Sequence, residues 1–254
     1  MKVSLVTSCF NREKTIAFTI ESVLNQDYED IEYIIQDGGS SDGTMEIIQK
    51  YRDRISSVLS EPDNGMYQGL NRGIRRTTGD IIGLVHSDDV LYANDTISHI
   101  VEEFERTGAD LLYADGIFVK QDNHSRPVRN WIGGVYSKKK VQNGWLPLHT
   151  TVYVKREVYE KVGLYDENYK IAADSDFLVR CLYKNDLRVT YLHEYVVNMR
   201  MGGLSTSPKK KKKKWKEDIH MYKSHGINPY ITVVKKICRK IPQYIEAFFM
   251  KSLK

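Results

Sequence analysis

Residues 31–43 read IEYIIQDGGSSDG, an apolar strand that runs directly into a loop holding two carboxylates, Asp37 and Asp42. Further along the chain, residues 80–89 read DIIGLVHSDD, a second apolar strand that ends in an aspartate pair. Loops that follow successive strands of an open α/β sheet meet at its carboxyl edge, where such sheets bind ligands. The two acidic loops therefore predict a ligand-binding site at this edge.

The composition is that of a globular protein. The chain has 254 residues, of which 41% are hydrophobic, and this length is enough to bury a large core. Its three cysteines have neither metal-ligand nor disulfide spacing, which indicates reduced thiols in a cytoplasm. The apolar run at the start is too short for a signal peptide, and no stretch has transmembrane length. We therefore expect a cytoplasmic protein.

Strands and helices alternate along the chain, most regularly in its first half. Apolar runs predict strands at residues 3–8, 31–36, 55–59, 81–85, 110–115 and 150–154, and helical spacing predicts helices at residues 15–25, 42–51, 66–76, 95–107 and 175–183. This alternation is typical of βαβ units in a largely parallel sheet. Residues 120–143 are polar, contain Pro127 and a Gly-Gly pair, and predict a long loop or a β-ribbon.

Each acidic loop allows a functional and a structural interpretation. Asp37 could accept hydrogen bonds from a nucleotide base or a ribose, and the alternative is a plain turn in which Asp42 caps a helix. The adjacent carboxylates Asp88 and Asp89 repel one another, and a divalent cation that bridges to phosphate removes this cost. The alternative is a cap for the helix near residue 95. We favour the metal, because the pair shares a predicted sheet edge with Asp37.

Several ordered motifs together resemble the family 2 inverting glycosyltransferases, which have the GT-A nucleotide-sugar fold. The motifs are VSLVTSCFN at residues 3–11, DGGSSDGT at 37–44, EPDNGMY at 61–67, TGDII at 78–82 and SDD at 87–89. The resemblance covers residues 1–205. It implies an α/β fold with a mixed, mostly parallel sheet flanked by helices, with a nucleotide-sugar-binding half at 1–115 and an acceptor-binding half at 116–205. Residues 206–254 would form a basic, helical C-terminal extension.

The resemblance implies a metal-dependent transfer of a sugar with inversion at its anomeric carbon. The donor would be a nucleoside-diphosphate sugar, in particular a UDP-sugar. The acceptor would be a hydroxyl of a glycan or of a lipid-linked acceptor in cell-surface polysaccharide synthesis. The cofactor would be Mn²⁺ or Mg²⁺, and the expected location is the cytoplasm, at the inner face of the cell membrane.

The resemblance also assigns donor-side roles by position. The base would contact Thr7 and Asp37, the base and phosphates Asp63 and Arg72, the ribose or sugar Asp88, and the metal Asp89. Ser87 stands where a strict Asp-X-Asp motif has its first acid. Asp89 is therefore the expected metal ligand.

On the acceptor side, residues 171–177 read IAADSDF, which resembles the family's Glu-Asp motif and implies that Asp174 is the general base. An inverting transfer needs one carboxylate to accept the proton of the attacking hydroxyl. The alternative for Asp174 or Asp176 is to cap the following helix, and we assign the cap to Asp176. Weaker candidates for contact with the acceptor or the diphosphate, each with a structural alternative, are His149, Arg200 and Gly203.

The C-terminal segment is basic and amphipathic. Residues 209–254 contain 14 lysines and arginines and three acidic residues, so this segment carries +11 and residues 1–208 carry −6 of the net charge of +5. Apolar residues at three- and four-residue steps in 230–253 predict a helix that Pro242 kinks. Such a helix suits an anionic membrane surface. The alternative is a helix packed on the domain with a solvated charged face.

Two other functions fit parts of the sequence. A sugar nucleotidylyltransferase can share the sheet, but it is expected to have a glycine-rich phosphate loop after the first strand, and SCFNR at residues 8–12 has no glycine. A polyanion-binding module would use the lysine run at residues 209–214, yet no nucleic-acid motif accompanies this run. We therefore expect no nucleic-acid partner.

Overall fold

Nine strands form one sheet in the part of the chain that the computed structural model describes, residues 1–120, 126–202 and 211–250. They are β1 (Val3–Cys9), β2 (Ile31–Asp37), β3 (Ser57–Ser60), β4 (Ile81–Leu84), β5 (Val90–Leu91), β6 (Leu111–Val119), β7 (Pro127–Trp131), β8 (Tyr153–Lys155) and β9 (Val189–Arg200). Their order across the sheet is β3-β2-β1-β4-β8-β6-β9-β5, and β7 pairs with β6. Strands β1 to β4 are parallel, β8 runs antiparallel between β4 and β6, and β6 is again parallel to β9. The predicted mixed, mostly parallel sheet is confirmed.

Helices connect the strands and flank the sheet. They are α1 (Ile16–Leu24), α2 (Thr44–Gln49), α3 (Met66–Arg75), α4 (Thr96–Thr107), α5 (Lys138–Gln142), α6 (Arg156–Val162), α7 (Ala173–Val179), α8 (Lys211–Ser224), α9 (Pro229–Cys238) and α10 (Lys240–Phe249). Short 3-10 turns lie at Arg52–Arg54 and His149–Thr151, and a π-helical turn at Arg180–Lys184 continues α7. Across the described ranges, no helix is both long and apolar enough to span a bilayer.

The core is divided between the two faces of the sheet, because successive side chains of a strand point to opposite faces. In β1, Leu5 packs on one face with Ile20 of α1 and Phe104 of α4. Its neighbour Val6 packs on the other face, in a cluster that includes Tyr222 of α8. Both faces are thus covered, as a parallel sheet requires. The carboxyl ends of the strands remain as the place for a ligand.

The C-terminal helices are part of this packing. Met221 and Tyr222 of α8 are fully buried. The chain divides into α9 and α10 at Arg239, and Pro242 lies in the first turn of α10. A proline is tolerated there because the first N–H groups of a helix have no partner within the helix. The predicted helical extension is therefore confirmed, and its interruption lies at Arg239, three residues before Pro242.

Candidate functional site

A cavity of about 500 Å³ opens at the carboxyl ends of β1, β2 and β4. Its wall includes side chains or backbone from both acidic loops and from the acceptor-side segment, among them Ser8, Gly38, Asp63, Asp88, His149 and Asp174. A smaller cavity of about 220 Å³ shares Arg12, Asp88 and Arg200 with it. A concave surface of this size suits a small-molecule ligand.

Asp37 supports the first acidic loop from inside, and its carboxylate is not part of the cavity wall. The side chain is fully buried and accepts hydrogen bonds from the N–H groups of Gly39 at 3.0 Å and Ser40 at 2.9 Å, and from the Ser60 hydroxyl at 2.6 Å. Burial would raise the pKa of Asp37, but the hydrogen bonds from Ser40, Ser60 and Gly39 outweigh it and hold this pKa below its usual value. Asp37 is thus an ionised anchor that fixes Gly38 at the wall.

Asp63 reaches the cavity because two glycines leave room for it. A Cβ atom at Gly38 would lie 2.6 Å from Asp63 Oδ2, and a Cβ atom at Gly69 of α3 would lie 3.0 Å from the same oxygen. The other oxygen, Oδ1, accepts a hydrogen bond from the N–H of Gly65 at 2.8 Å. A carboxylate placed in this way can accept hydrogen bonds from the N–H of a base or from a ribose hydroxyl.

Thr7 and Arg72 lie away from the cavity. The Thr7 hydroxyl is fully buried, donates to the carbonyl of Val85 at 2.7 Å and lies 3.1 Å from the Tyr33 hydroxyl. The Arg72 guanidinium donates to the carbonyl of Pro62 at 2.9 Å and so holds the loop before α3. Both side chains are bound by the protein itself, and neither is part of the cavity wall.

The two carboxylates after β4 point in different directions. Asp88 lies on the wall of both cavities. Asp89 is 1% exposed, its Oδ1 accepts a hydrogen bond from the Arg200 N–H at 3.0 Å, and its Oδ2 has no partner within the described ranges. Burial, and after it the charge of Asp88, raises the pKa of Asp89 well above its usual value. Asp88 is therefore the carboxylate on the cavity wall, and Asp89 is buried beside it with one oxygen without a partner within the described ranges.

Asp174, in the first turn of α7, lies on the acceptor-side wall with its side chain 22% exposed. Its Oδ2 is 3.5 Å from Nδ1 of His149, and its Oδ1 accepts a hydrogen bond from the Ser175 N–H at 2.7 Å. The Tyr67 hydroxyl lies 3.4 Å from Oδ1 and donates to the carbonyl of Ile171 at 2.9 Å. The carboxylate is therefore held in a fixed orientation while part of it faces the cavity.

His149 forms a close pair with His86, which follows β4. Their Nε2 atoms are 2.5 Å apart, so one ring donates the shared hydrogen and the other accepts it. Burial, and after it the neighbouring His149, lowers the pKa of His86 to about 3. Burial also lowers the pKa of His149. Both rings are neutral at pH 7, and the pair joins the loop of Asp88 to Asp174.

Positive charge from the C-terminal helices acts on Asp174. Burial would raise the pKa of Asp174, but His149, Lys214 and Lys236 together outweigh burial and hold this pKa below its usual value. Two of these groups, Lys214 of α8 and Lys236 of α9, belong to the C-terminal helices. Lys236 of α9 is itself held by Asp218 of α8, with 3.0 Å between Nζ and Oδ1. Helices α8 and α9 are thus part of the site.

The segment that leads to Asp174 is anchored by α8. Oε2 of Glu217 accepts hydrogen bonds from the N–H groups of Lys170, Ile171 and Ala172 at 3.1, 2.8 and 3.1 Å. One carboxylate oxygen therefore fixes three consecutive peptide groups immediately before α7. This contact sets the position from which Asp174 projects.

Asp176 does not cap α7, so this prediction is wrong. The helix begins at Ala173, and Asp176 lies in its first turn. Its carboxylate accepts a hydrogen bond from Nε of Arg180 at 2.8 Å and lies 2.8 Å from Nε2 of His225. Asp176 therefore ties α7 to the end of α8 and is occupied by structural partners.

Arg200 closes one side of the site. Its side chain lines both cavities, and its guanidinium carbon lies 5.0 Å from the centroid of the Phe18 ring. Arg12, from the loop after β1, lines both cavities as well. Two guanidinium groups beside Asp88 suit an anionic ligand such as a diphosphate. Gly203, the third weak candidate, lies outside the described residues.

Sequence reasoning omitted Arg12, Lys214, Lys236 and Glu217. Arg12 had a usable signal, because it directly follows the VSLVTSCFN motif at the end of the first strand. The other three lie in the basic C-terminal segment. No local sequence pattern there separates a charged residue that acts on the site from a solvated one. Only the packing of α8 and α9 on the domain distinguishes them.

Comparison with known proteins identifies relatives of this chain. The family model for Glycosyl transferase family 2 matches residues 4–163. A curated relative from Mycobacterium tuberculosis, described as a PGL/p-HBAD biosynthesis glycosyltransferase, is 27% identical over 209 residues, which are 80% of this chain and 79% of the relative. The chain is a glycosyltransferase by this relationship.

Solved structures share the fold over nearly the whole chain. TarS 1-349 from S. aureus in complex with UDP-GlcNAc matches with a TM-score of 0.69 at 18% identity, over 99% of this chain and 74% of TarS 1-349. The chain spans 61% of the same protein in its complex with UDP. The mannosyltransferase PcManGT from Pyrobaculum calidifontis, in complex with GDP-Man and Mn²⁺, matches with a TM-score of 0.58 at 16% identity, over 97% of this chain and 69% of PcManGT. The fold is of the GT-A type.

Proposed function

Because the chain belongs to glycosyl transferase family 2, we propose that it transfers a sugar from a nucleoside-diphosphate sugar to an acceptor hydroxyl with inversion at the anomeric carbon. The observation that carries this proposal is the position of Asp174, an oriented carboxylate on the wall of the cavity that Asp63 and Asp88 also line. A UDP-sugar is the favoured donor, since TarS is found with UDP and UDP-GlcNAc on the same fold.

Asp174 is the general base of the proposed reaction. It accepts the proton of the acceptor hydroxyl while the hydroxyl oxygen bonds to C1 of the sugar. The bond between C1 and the diphosphate oxygen breaks on the opposite face, and its electron pair leaves with the nucleoside diphosphate. This single displacement inverts the configuration at C1. Lys214 and Lys236 lower the pKa of Asp174 and so favour its ionised form, which is the form that can accept a proton.

In the proposed complex, residues from different loops contact different parts of the donor. Asp63 accepts hydrogen bonds from the base or the ribose. Arg12 and Arg200, which line both cavities, pair with the diphosphate. Asp37 acts indirectly, because it fixes the backbone of Gly38 at the wall.

The cavity fits Mn²⁺ or Mg²⁺ that is held mainly by the substrate. The described residues contain no group of three or more His, Cys, Asp and Glu side chains suited to a metal ion. Magnesium ions are commonly held by one or two carboxylates together with substrate phosphates. Asp88 supplies a carboxylate on the wall of both cavities and would hold the ion against the diphosphate. When bound, the ion supplies positive charge that stabilises the leaving diphosphate.

The resemblance of the sequence motifs to the family supports the wider setting that we propose. The acceptor is a glycan or a lipid-linked hydroxyl compound in cell-surface polysaccharide synthesis, and the enzyme works in the cytoplasm at the inner face of the membrane. Residues 1–205 are the catalytic domain, with the donor half at 1–115 and the acceptor half at 116–205. Residues 206–254 are the helical extension, and its helix α8 completes the core of that domain.

Donor binding tests this proposal directly. UDP-, GDP- and dTDP-sugars are screened by thermal unfolding, with and without Mn²⁺. A bound donor at about 100 times its Kd stabilises the native state by ~2.7 kcal/mol, which raises the Tm by several degrees. We expect one nucleotide class to give this shift, and we expect Mn²⁺ to enlarge it.

A matched pair of variants locates the donor. Asp63→Asn removes the carboxylate on the wall, and Asp53→Asn removes an exposed carboxylate in the turn before β3. We expect the first to weaken donor binding and the second to leave it unchanged. The absence of a shift with every nucleotide sugar would contradict the enzyme assignment.

A further inference from the structure

Helices α9 and α10 carry a stripe of large apolar side chains on their outer side. Nine such side chains are at least 40% exposed, and Phe248 at 80% and Phe249 at 78% are the most exposed of them. They recur at steps of three and four residues, for example at Tyr230, Val234, Ile237 and Ile241. A surface helix normally turns such a stripe toward the core.

The inner side of the same helices makes polar contacts to the rest of the protein, and these contacts fix the orientation of the helices. Two of these contacts reach the domain and join Thr232 to the Gln142 carbonyl at 3.0 Å and Gln243 to Arg129 at 2.7 Å, and a third joins Lys236 to Asp218 of α8 at 3.0 Å. The buried side chains of the two helices are Thr232, Val233 and Ala247. The apolar stripe therefore cannot turn inward without the loss of these bonds. A contiguous apolar surface of this kind marks an interaction site.

Charge decides which partner fits the stripe. Residues 209–254 carry +11, and Lys235 of α9 and four lysines of α8 are exposed, namely Lys212, Lys213, Lys216 and Lys223. All three acids of the segment have partners: Glu217 accepts a hydrogen bond from Ile171 and Glu246 accepts one from Asn130, both in the domain, and Asp218 pairs with Lys236 of the segment itself. A second copy of the chain would bring the same positive charge against this surface. Anionic headgroups above an apolar layer complement both features.

We propose that α9 and α10 form a docking surface for an anionic lipid bilayer. Phe248 and Phe249 enter the boundary between headgroups and acyl chains, and Lys235 with the lysines of α8 contacts the headgroups. The same helix α9 also supplies Lys236, which acts on Asp174. Docking thus holds the cavity close to a membrane-borne acceptor. The surface is inferred from exposure and charge, and its test requires no sugar transfer.

Vesicle flotation tests the docking surface on the full chain. We expect the wild-type protein to float with vesicles of equimolar phosphatidylcholine and phosphatidylglycerol, and to remain in the dense fraction with phosphatidylcholine alone. The double variant Phe248→Ser/Phe249→Ser should lower the partition coefficient by about tenfold or more, because two aromatic side chains no longer leave water. Val135→Ser changes a residue that is 72% exposed elsewhere on the surface and should leave partitioning unchanged.

The outcomes distinguish a bilayer from a second copy of the chain as the partner of the docking surface. Since both phenylalanines are exposed, the double variant should keep the wild-type Tm and circular dichroism spectrum. Equal partitioning of the wild type and the double variant, or no flotation of the wild type, would overturn the proposal. Light scattering that shows a dimer of the wild type and a monomer of the double variant, without vesicle binding, would assign the stripe to a second copy instead. Flotation measures membrane binding alone, so the absence of sugar transfer in a separate assay would not change its interpretation.

Discussion

At the scale of single residues, Lys236 shows how a distant helix acts on the proposed chemistry. Its ammonium group lies 3.0 Å from Asp218 and 3.4 Å from the Ser175 hydroxyl, next to the proposed base. The titratable groups that face Asp174 are His149, Tyr67, Lys214 and Lys236. A folded-state pKa below the usual value keeps Asp174 ionised, so activity should be lost only as the pH falls through that lowered pKa.

Replacement of Lys236 should move the acid limb of the pH–rate profile. In Lys236→Met the pKa of Asp174 rises, because one neighbouring positive charge is gone, and the acid limb shifts to higher pH. Lys236→Arg keeps the charge and should retain the wild-type limb. The control is Lys235→Met, since Lys235 is exposed and bonds to Asn143. Identical acid limbs in all four proteins would show that Lys236 is only structural.

Asp88 and Asp89 should respond differently to the same substitution. Asp88→Asn removes the carboxylate on the wall of both cavities, so we expect Mn²⁺-dependent transfer to fall by about 100-fold or more. Asp89→Asn keeps an oxygen that can accept the hydrogen bond from the Arg200 N–H, and we expect a much smaller loss. The measurement is initial rate against Mn²⁺ concentration. A larger loss in Asp89→Asn would return the metal role to Asp89.

At the scale of elements, α8 fixes the backbone that carries the base. In Glu217→Ala three N–H groups before α7 lose their acceptor, and we expect the free energy of unfolding to fall by about 2 kcal/mol. We also expect kcat to fall at an unchanged KM for the donor, because Asp174 is displaced from the acceptor side while the donor wall is intact. Glu160→Ala, at an exposed position of α6, should change neither quantity. A parallel loss of donor affinity would mean that α8 supports the whole cavity.

Strands β1 to β4 and the helices that connect them could be predicted from the sequence, because each apolar run ends in a clear turn signal. Strand β9 could not, since Val189–Arg200 mixes polar and apolar residues and pairs with β6, which is distant in sequence. The apolar spacing of α9 and α10 was visible, but not which side would face the domain. That side is set by polar contacts such as the one between Gln243 and Arg129.

At the scale of the whole molecule, the site brings together segments that are distant in sequence. Asp63, Asp88 and Asp174 line one cavity, and the sequence motifs anticipated all three. The motifs do not show which of Asp88 and Asp89 lies on the cavity wall, because neighbouring residues after a strand can point to opposite sides. Nor could they place Thr7 and Arg72, whose partners are other parts of the chain.

Comparison of sugar transfer with donor binding in Asp174→Asn tests whether Asp174 is the general base. We expect the transfer rate to fall by about 100- to 10,000-fold while the Kd for the donor stays unchanged, because the asparagine cannot accept the proton of the acceptor. The control Asp186→Asn changes an aspartate whose side chain is 92% exposed and should transfer at the wild-type rate. Near wild-type transfer by Asp174→Asn would contradict the account.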